Sequence, residues 1–171
     1  MTSLKLYKNN NSDYNICLGK LDQEAFSAKY VIGFSLGALV ALRDIKNIQD
    51  KIILINPLVP KRGVTSWLVQ WVKFVTSEGL FLERQNFTSN PIRYIFGLKE
   101  CIELINIDFS KTLNNVFEDK VTVIRGKRDV FYCDEFAVSF LHSKNINVIE
   151  VDAGHNWNEE IEKTLDNLLS T

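Results

Sequence analysis

A short apolar run that leads directly into a glycine-flanked serine constrains this chain more than any other feature. Residues 30–34 are apolar, and residues 33–37 read Gly-Phe-Ser-Leu-Gly, the pattern G-x-S-x-G. Because Gly33 and Gly37 lack Cβ atoms, a strand and a following helix can approach closely around the serine. We therefore expect Ser35 at a strained turn, with its hydroxyl accessible and the Leu36 N–H facing the same space.

Size and composition exclude several classes of protein. The 171 residues suit a single domain with a real core, and the net charge of −1 gives no reason to expect a nucleic-acid partner. Three cysteines without a C-x-x-C pair, together with two histidines, disfavour a structural metal site and suit a reducing compartment. Residues 1–12 do not resemble a signal peptide, and no apolar run has membrane-spanning length. We expect a cytoplasmic protein without stable membrane insertion.

Short, largely apolar runs predict the strands of a mostly parallel sheet. These runs are residues 4–7, 16–18, 29–34, 52–55, 121–124 and 146–151. Because most of them do not alternate with polar residues, helices should cover both sheet faces. The main helices are predicted over residues 35–45, 134–141 and 157–169. The pattern indicates an α/β fold, with residues 1–171 as one domain.

Residues 58–117 interrupt this rhythm and predict a small helical lid inserted into the same domain. The stretch over residues 64–75 is apolar nearly all round, unlike a simple surface helix. Trp67 and Trp71 in this stretch, with Phe34 beside the serine, are candidates for lining a pocket for an acyl chain. Packing of the tryptophans against the core explains the same spacing, and both interpretations stay open.

Three residues with complementary chemistry follow predicted strands at their carboxyl ends, namely Ser35, Asp129 and His155. Ligands of open α/β sheets gather at that edge. A serine hydroxyl needs a base, so His155 is the candidate base and Asp129 the residue that orients it. Asp152 is the alternative acid but lies three residues before His155, and His142, at the end of a predicted helix, is the weaker alternative base.

Together these motifs resemble the α/β-hydrolase family. The resemblance rests on residues 33–37, on Gly-Lys-Arg-Asp at 126–129 and on Gly-His-Asn at 154–156, in the family order serine, acid, histidine. The Asn56-Pro57 pair after the strand predicted over residues 52–55, and the helical insertion, also resemble features of lidded esterases of this family. The resemblance implies a compact α/β-hydrolase fold and a serine esterase that forms an acyl-enzyme and requires no metal or organic cofactor.

The resemblance also bears on the oxyanion hole and the substrate. Family members usually place further strands and a second N–H donor before the serine, whereas 34 residues precede it here, and the turn at Asn10 is the candidate substitute. Residues 33–38 are similar to those of compact pimeloyl-acyl-carrier-protein methyl ester esterases of biotin synthesis, which implies an acyl ester substrate held on acyl-carrier protein. An acyl thioesterase, a lipid esterase and a non-catalytic binding protein on the same scaffold are the alternatives.

Overall fold

The structure of the protein is a computed structural model. The structure describes residues 14–17, 30–35, 37–38, 41–42, 51–59, 63–66, 68–69, 118–129 and 133–170. Asn10, Leu36, Trp67 and Trp71 lie outside these residues, as does most of the predicted lid over residues 58–117. The roles predicted for them, and the lid itself, stay predictions.

The described strands form one parallel sheet whose strand order follows the order of the chain. They are β1 (Tyr14–Cys17), β2 (Tyr30–Phe34), β3 (Lys51–Ile55), β4 (Val121–Gly126) and β5 (Asn147–Val151). The register pairs Ile32 with Ile53, and Leu54 with Val123. Because all five strands run in the same direction, their carboxyl ends meet at one edge of the sheet.

Strand β3 lies at the centre of the sheet, and its unbroken apolar run suits that place. Residues 52–55 are all buried. Ile52 and Leu54 belong to the core cluster on one face, whereas Ile53 and Ile55 belong to the cluster on the other. A strand that is buried on both faces needs apolar residues at successive positions, so the absence of alternation is accounted for.

Helices cover both faces of the sheet, as predicted. On one face, α1 (Glu135–Ser143) contributes Leu141 to the core, beside Leu42 from the helical residues that follow β2. On the other face, α2 (Glu159–Leu169) contributes Leu165. Among the described residues, no helix has both the length and the apolar character needed to cross a membrane.

Side-chain caps decide where the two C-terminal helices begin. Asp134 caps α1 by accepting a hydrogen bond from the Ala137 N–H at 3.1 Å. Asn158 caps α2 by accepting from the Ile161 N–H at 3.1 Å. Helix α2 therefore begins at Glu159, two residues later than predicted, because the chain is still extended at its cap.

The strand that precedes the acid-bearing loop extends two residues further than predicted, since Arg125 lies within β4 instead of in a loop. Its buried guanidinium donates to the Cys133 carbonyl at 2.8 Å and to Glu135 at 2.7 Å, and it also pairs with Glu150. Burial by itself lowers the pKa of Arg125, but the hydrogen bonds and charges of the two glutamates outweigh that cost and raise the pKa above its ordinary value. Arg125 therefore remains charged inside the fold.

Candidate functional site

Ser35 occupies the strained turn that the G-x-S-x-G pattern predicts. Its φ of 55° lies in the left-handed region, which side-chain-bearing residues rarely adopt. Its N–H donates to the Ile55 carbonyl at 2.8 Å, and its carbonyl accepts from the Ala38 N–H at 3.1 Å. A Cβ atom at Gly33 would lie 2.6 Å from the Ala38 Cα, so glycine is needed where strand and helix meet. The backbone thus holds the serine in one orientation at the sheet edge.

The structure brings the three predicted residues into one hydrogen-bonded chain. Ser35 Oγ lies 2.9 Å from His155 Nε2, and His155 Nδ1 lies 2.9 Å from Asp129 Oδ2. Because an ionised carboxylate only accepts hydrogen bonds, we assign the imidazole proton to Nδ1, which leaves Nε2 to accept from the hydroxyl. His155 and Asp129 are buried, and Ser35 is half-buried. This arrangement can remove a proton from the serine hydroxyl.

The loop after β4 fixes the carboxylate of Asp129. The Asp129 N–H donates to the Gly126 carbonyl at 2.9 Å, which closes a tight turn, and the Cys133 N–H donates to Asp129 Oδ2 at 3.2 Å. Hydrogen bonds of this kind stabilise a buried carboxylate in its charged form. The alternative acid, Asp152, is exposed and pairs with Arg128 instead. The structure therefore places Asp129, and not Asp152, against the imidazole.

Phe34 lies against the histidine, and Trp157 packs on Phe34. The ring centroid of Phe34 lies 5.8 Å from that of His155 and 5.8 Å from that of Trp157, with an edge-to-face arrangement in the second pair. The Trp157 indole N–H donates to Glu162 at 2.8 Å. Phe34, a predicted pocket residue, therefore lies beside the candidate base. Sequence reasoning assigned Trp157 only to a helix start, although an aromatic residue two positions after the histidine was an available signal.

The buried side-chain amide of Asn56 connects the loops of the candidate site, a role that the sequence analysis does not predict. Asn56 Nδ2 donates to the Gly154 carbonyl at 3.1 Å and to the His155 carbonyl at 2.8 Å, while Oδ1 accepts from the Gly126 N–H at 2.8 Å. The available signal was an asparagine at the end of a buried strand, where a polar side chain requires partners. Its amide connects the ends of β3, β4 and the histidine loop.

The predicted oxyanion donors, Leu36 and Asn10, lie outside the described residues, and their roles stay predictions. Across the part of the chain that the structure describes, no group of three His, Cys, Asp or Glu residues has the arrangement needed to hold a metal ion.

Replacement of Gly126 by alanine should disturb both stability and the candidate site. A Cβ atom there would lie 2.7 Å from the Ala153 carbonyl oxygen and closer still to that of Gly154, so the histidine loop must move. We expect Gly126→Ala to lower the free energy of unfolding by about 1–3 kcal/mol in urea titrations. Gly63→Ala is the matched control, because a Cβ at Gly63 meets none of the described residues within 4 Å. Equal stability of the two variants would contradict the packing described above.

Comparison with solved structures confirms the predicted α/β-hydrolase fold. A carboxylesterase of the thaumarchaeon Nitrososphaera gargenis is similar with a TM-score of 0.54 at 14% sequence identity, over 82% of this chain and 64% of that one. At this identity the likeness concerns the fold. No family model and no curated protein sequence matches the chain.

Two further solved structures are more distant in shape. The Pyrococcus furiosus esterase Pf2001 has a TM-score of 0.47 at 21% identity, over 84% of this chain and 51% of that one. The serine hydrolase CCSP0084 from Cycloclasticus zankles has a TM-score of 0.43 at 18% identity, over 81% of this chain and 61% of that one. This chain therefore spans less than two thirds of the length of each of these structures.

Proposed function

We propose that this protein is a serine hydrolase that cleaves carboxylic esters through an acyl-enzyme. The observation that carries the proposal is the hydrogen-bonded chain from Ser35 Oγ through His155 to Asp129 at the carboxyl edge of the sheet. A hydroxyl, an imidazole and a buried carboxylate in this order are the groups that nucleophilic acyl transfer requires.

In the first half of the reaction, Ser35 Oγ attacks the ester carbonyl while His155 Nε2 takes the hydroxyl proton. Asp129 stabilises the imidazolium that forms and keeps the ring in the required orientation. The negative charge moves to the carbonyl oxygen, and the predicted donors to that oxygen are the N–H of Leu36 and the turn at Asn10. The tetrahedral intermediate then collapses, and the leaving alcohol departs with the proton from His155.

In the second half, His155 removes a proton from a water molecule, which attacks the acyl group on Ser35. Collapse of this second intermediate breaks the bond to the serine oxygen, and the proton returns from the imidazole to that oxygen. The products are one alcohol and one carboxylic acid, and the enzyme is restored. All proton transfers use the same Nε2 atom.

Hydrolysis of p-nitrophenyl butyrate tests this reaction. We expect the folded protein to release p-nitrophenolate faster than buffer does. If deacylation limits turnover, a burst of about one equivalent precedes a slower steady rate, and if acylation limits turnover, the release is steady from the start. Hydrolysis no faster than in buffer would contradict the proposal. That result, together with measurable binding of the ester, would favour the alternative of a non-catalytic binding protein on the same scaffold.

The specific substrate that we propose is the methyl ester of pimeloyl-acyl-carrier protein, with the carrier protein as partner and the cytoplasm as location. The sequence Gly-Phe-Ser-Leu-Gly-Ala at residues 33–38 supports this substrate, and Phe34, Trp67 and Trp71 are the residues proposed to contact the acyl chain. Acyl thioesters and lipid esters are the alternative substrates, since the same groups would cleave them. Expression in a bacterial strain that lacks its pimeloyl methyl ester esterase should restore growth without biotin. A well-expressed protein that fails to do so would count against this substrate.

A further inference from the structure

We propose that Asn56 is a positioning residue, whose side-chain amide sets the place of the His155 imidazole relative to Asp129. The inference rests on the proposed function, because it assigns a role in the same site. Asn56 is fully buried and lies directly after β3. Its three side-chain hydrogen bonds connect segments that are distant in sequence, and one of them reaches the backbone of the candidate base itself.

The backbone of Asn56 has its own contacts, which do not involve the side chain. Its N–H donates to the Ile124 carbonyl at 3.0 Å, which attaches it to β4. Its φ of 44° lies in the left-handed region, which asparagine tolerates better than most side-chain-bearing residues. A residue held in this way can act as a fixed anchor for the loops around it.

The amide is oriented unambiguously by its partners. Both carbonyls that face Nδ2 are acceptors, and the Gly126 N–H that faces Oδ1 is a donor, so reversing the amide would put like groups together at every contact. An aspartate has nearly the same shape but, when ionised, has no hydrogen to give to the Gly154 and His155 carbonyls. The position therefore requires both a donor and an acceptor.

The contacts of Asn56 hold the two sides of the His155–Asp129 hydrogen bond. On one side, Nδ2 binds the carbonyl of His155, whose ring makes that hydrogen bond. On the other side, Oδ1 binds the N–H of Gly126, whose carbonyl closes the turn that carries Asp129. Loss of the amide should let the imidazole move relative to both the carboxylate and the serine. A misplacement of about 1 Å in such a site costs about a hundredfold in rate.

Two variants and one matched control test the inference. Asn56→Gly permits the left-handed backbone and removes the amide, while Asn56→Asp retains the shape and the acceptor and removes the donors. Asn145 has nearly the same backbone, with a φ of 56°, but is exposed, so Asn145→Gly controls for the general cost of glycine at such a turn. We expect kcat on p-nitrophenyl butyrate, per folded molecule, to fall about a hundredfold in both Asn56 variants. We expect KM to change little and Asn145→Gly to match the wild type.

The imidazole itself provides a readout that does not depend on activity. The chain has two histidines, so ¹⁵N-histidine labelling gives signals from His155 and the exposed His142 alone. In the wild type we expect a downfield Nδ1 proton on His155 that exchanges slowly with water. This signal should disappear in the Asn56 variants and persist in Asn145→Gly, while the His142 signals stay unchanged.

The two readouts separate failure of this inference from failure of the proposed function. If the wild type cleaves no ester but the His155 proton is present and is lost on replacement of Asn56, the function fails and the positioning role stands. If the Asn56 variants retain both wild-type kcat per folded molecule and the His155 proton, the positioning role is overturned. Failure of both variants to fold, with Asn145→Gly intact, would also overturn it in favour of a role in folding alone.

Discussion

Replacement of His155 by alanine should abolish ester hydrolysis almost completely. His155 Nε2 lies 2.9 Å from Ser35 Oγ, and without this base the serine hydroxyl stays protonated near neutral pH. In hydrolases with a serine, histidine and acid acting together, loss of the histidine costs about as much as loss of all three groups, so we expect kcat to fall by about 10⁴-fold or more. The measurement is steady-state hydrolysis of p-nitrophenyl butyrate at a fixed concentration of folded protein.

His142 provides the control for this variant. It is the only other histidine of the chain and is exposed in the last turn of α1. His142→Ala should therefore hydrolyse the ester at the wild-type rate. A His155→Ala protein that retains a large part of its activity, or a His142→Ala protein that loses as much, would show that the base has been assigned to the wrong residue.

Replacement of Asp129 by asparagine should cause the second large loss of activity. The substitution retains the volume of the side chain, and the N–H of residue 129 can still close the turn on the Gly126 carbonyl, so the loop should keep its shape. An amide, however, carries no charge that stabilises the imidazolium. Because Oδ2 accepts from both the Cys133 N–H and His155 Nδ1, an NH₂ group in its place would give up the Cys133 hydrogen bond, donate to Nδ1 and favour the wrong imidazole tautomer. We expect kcat to fall about 10⁴-fold, with a much smaller change in KM.

Asp152→Asn is the matched control, since Asp152 is the neighbouring acid on the histidine loop and is exposed beside Arg128. An exposed ion pair contributes at most about 1 kcal/mol, so this variant should remain close to the wild type in both stability and kcat. A larger loss of activity in Asp152→Asn than in Asp129→Asn would overturn the assignment of the acid.

Much of the sheet could be predicted from the sequence because its central strands, β2 to β4, are buried on both faces. Such strands require continuous apolar runs, and Ile52 through Ile55 form one. The meeting of Ser35, Asp129 and His155 could be predicted for a related reason. Each follows a strand, and the carboxyl ends of parallel strands lie at one edge of the sheet.

Contacts that depend on distant partners could not be predicted in this way. Arg125 lies beyond the predicted end of its strand at residue 124, and the carboxylates that allow it to remain inside β4 lie 10 and 25 residues further along the chain. The partners of Asn56 are 70, 98 and 99 residues away. A local pattern identifies a polar residue at a strand end, but only the packed fold determines which groups it meets.

The start of α2 also differs from its prediction, because the start of a helix depends on which side chain caps it. Trp157 and Asn158 both precede the apolar pattern of α2, and the asparagine has the oxygen that can accept from the Ile161 N–H. The tryptophan therefore stays outside the helix and packs edge-to-face with Phe34. Trp157, which the sequence pattern places in the helix, therefore lies outside it and beside the candidate site.

Labelling with a fluorophosphonate, followed by mass spectrometry of the intact protein and its peptides, tests most directly whether Ser35 is the nucleophile. We predict one adduct per chain on the peptide that contains Ser35, and none in Ser35→Ala. Ser139, which is exposed on α1 and donates to the Glu135 carbonyl, serves as the control, and Ser139→Ala should label like the wild type. Two results would contradict the assignment of the nucleophile and with it the proposed reaction. One is folded wild-type protein that does not label, and the other is a Ser35→Ala protein that labels as strongly as the wild type.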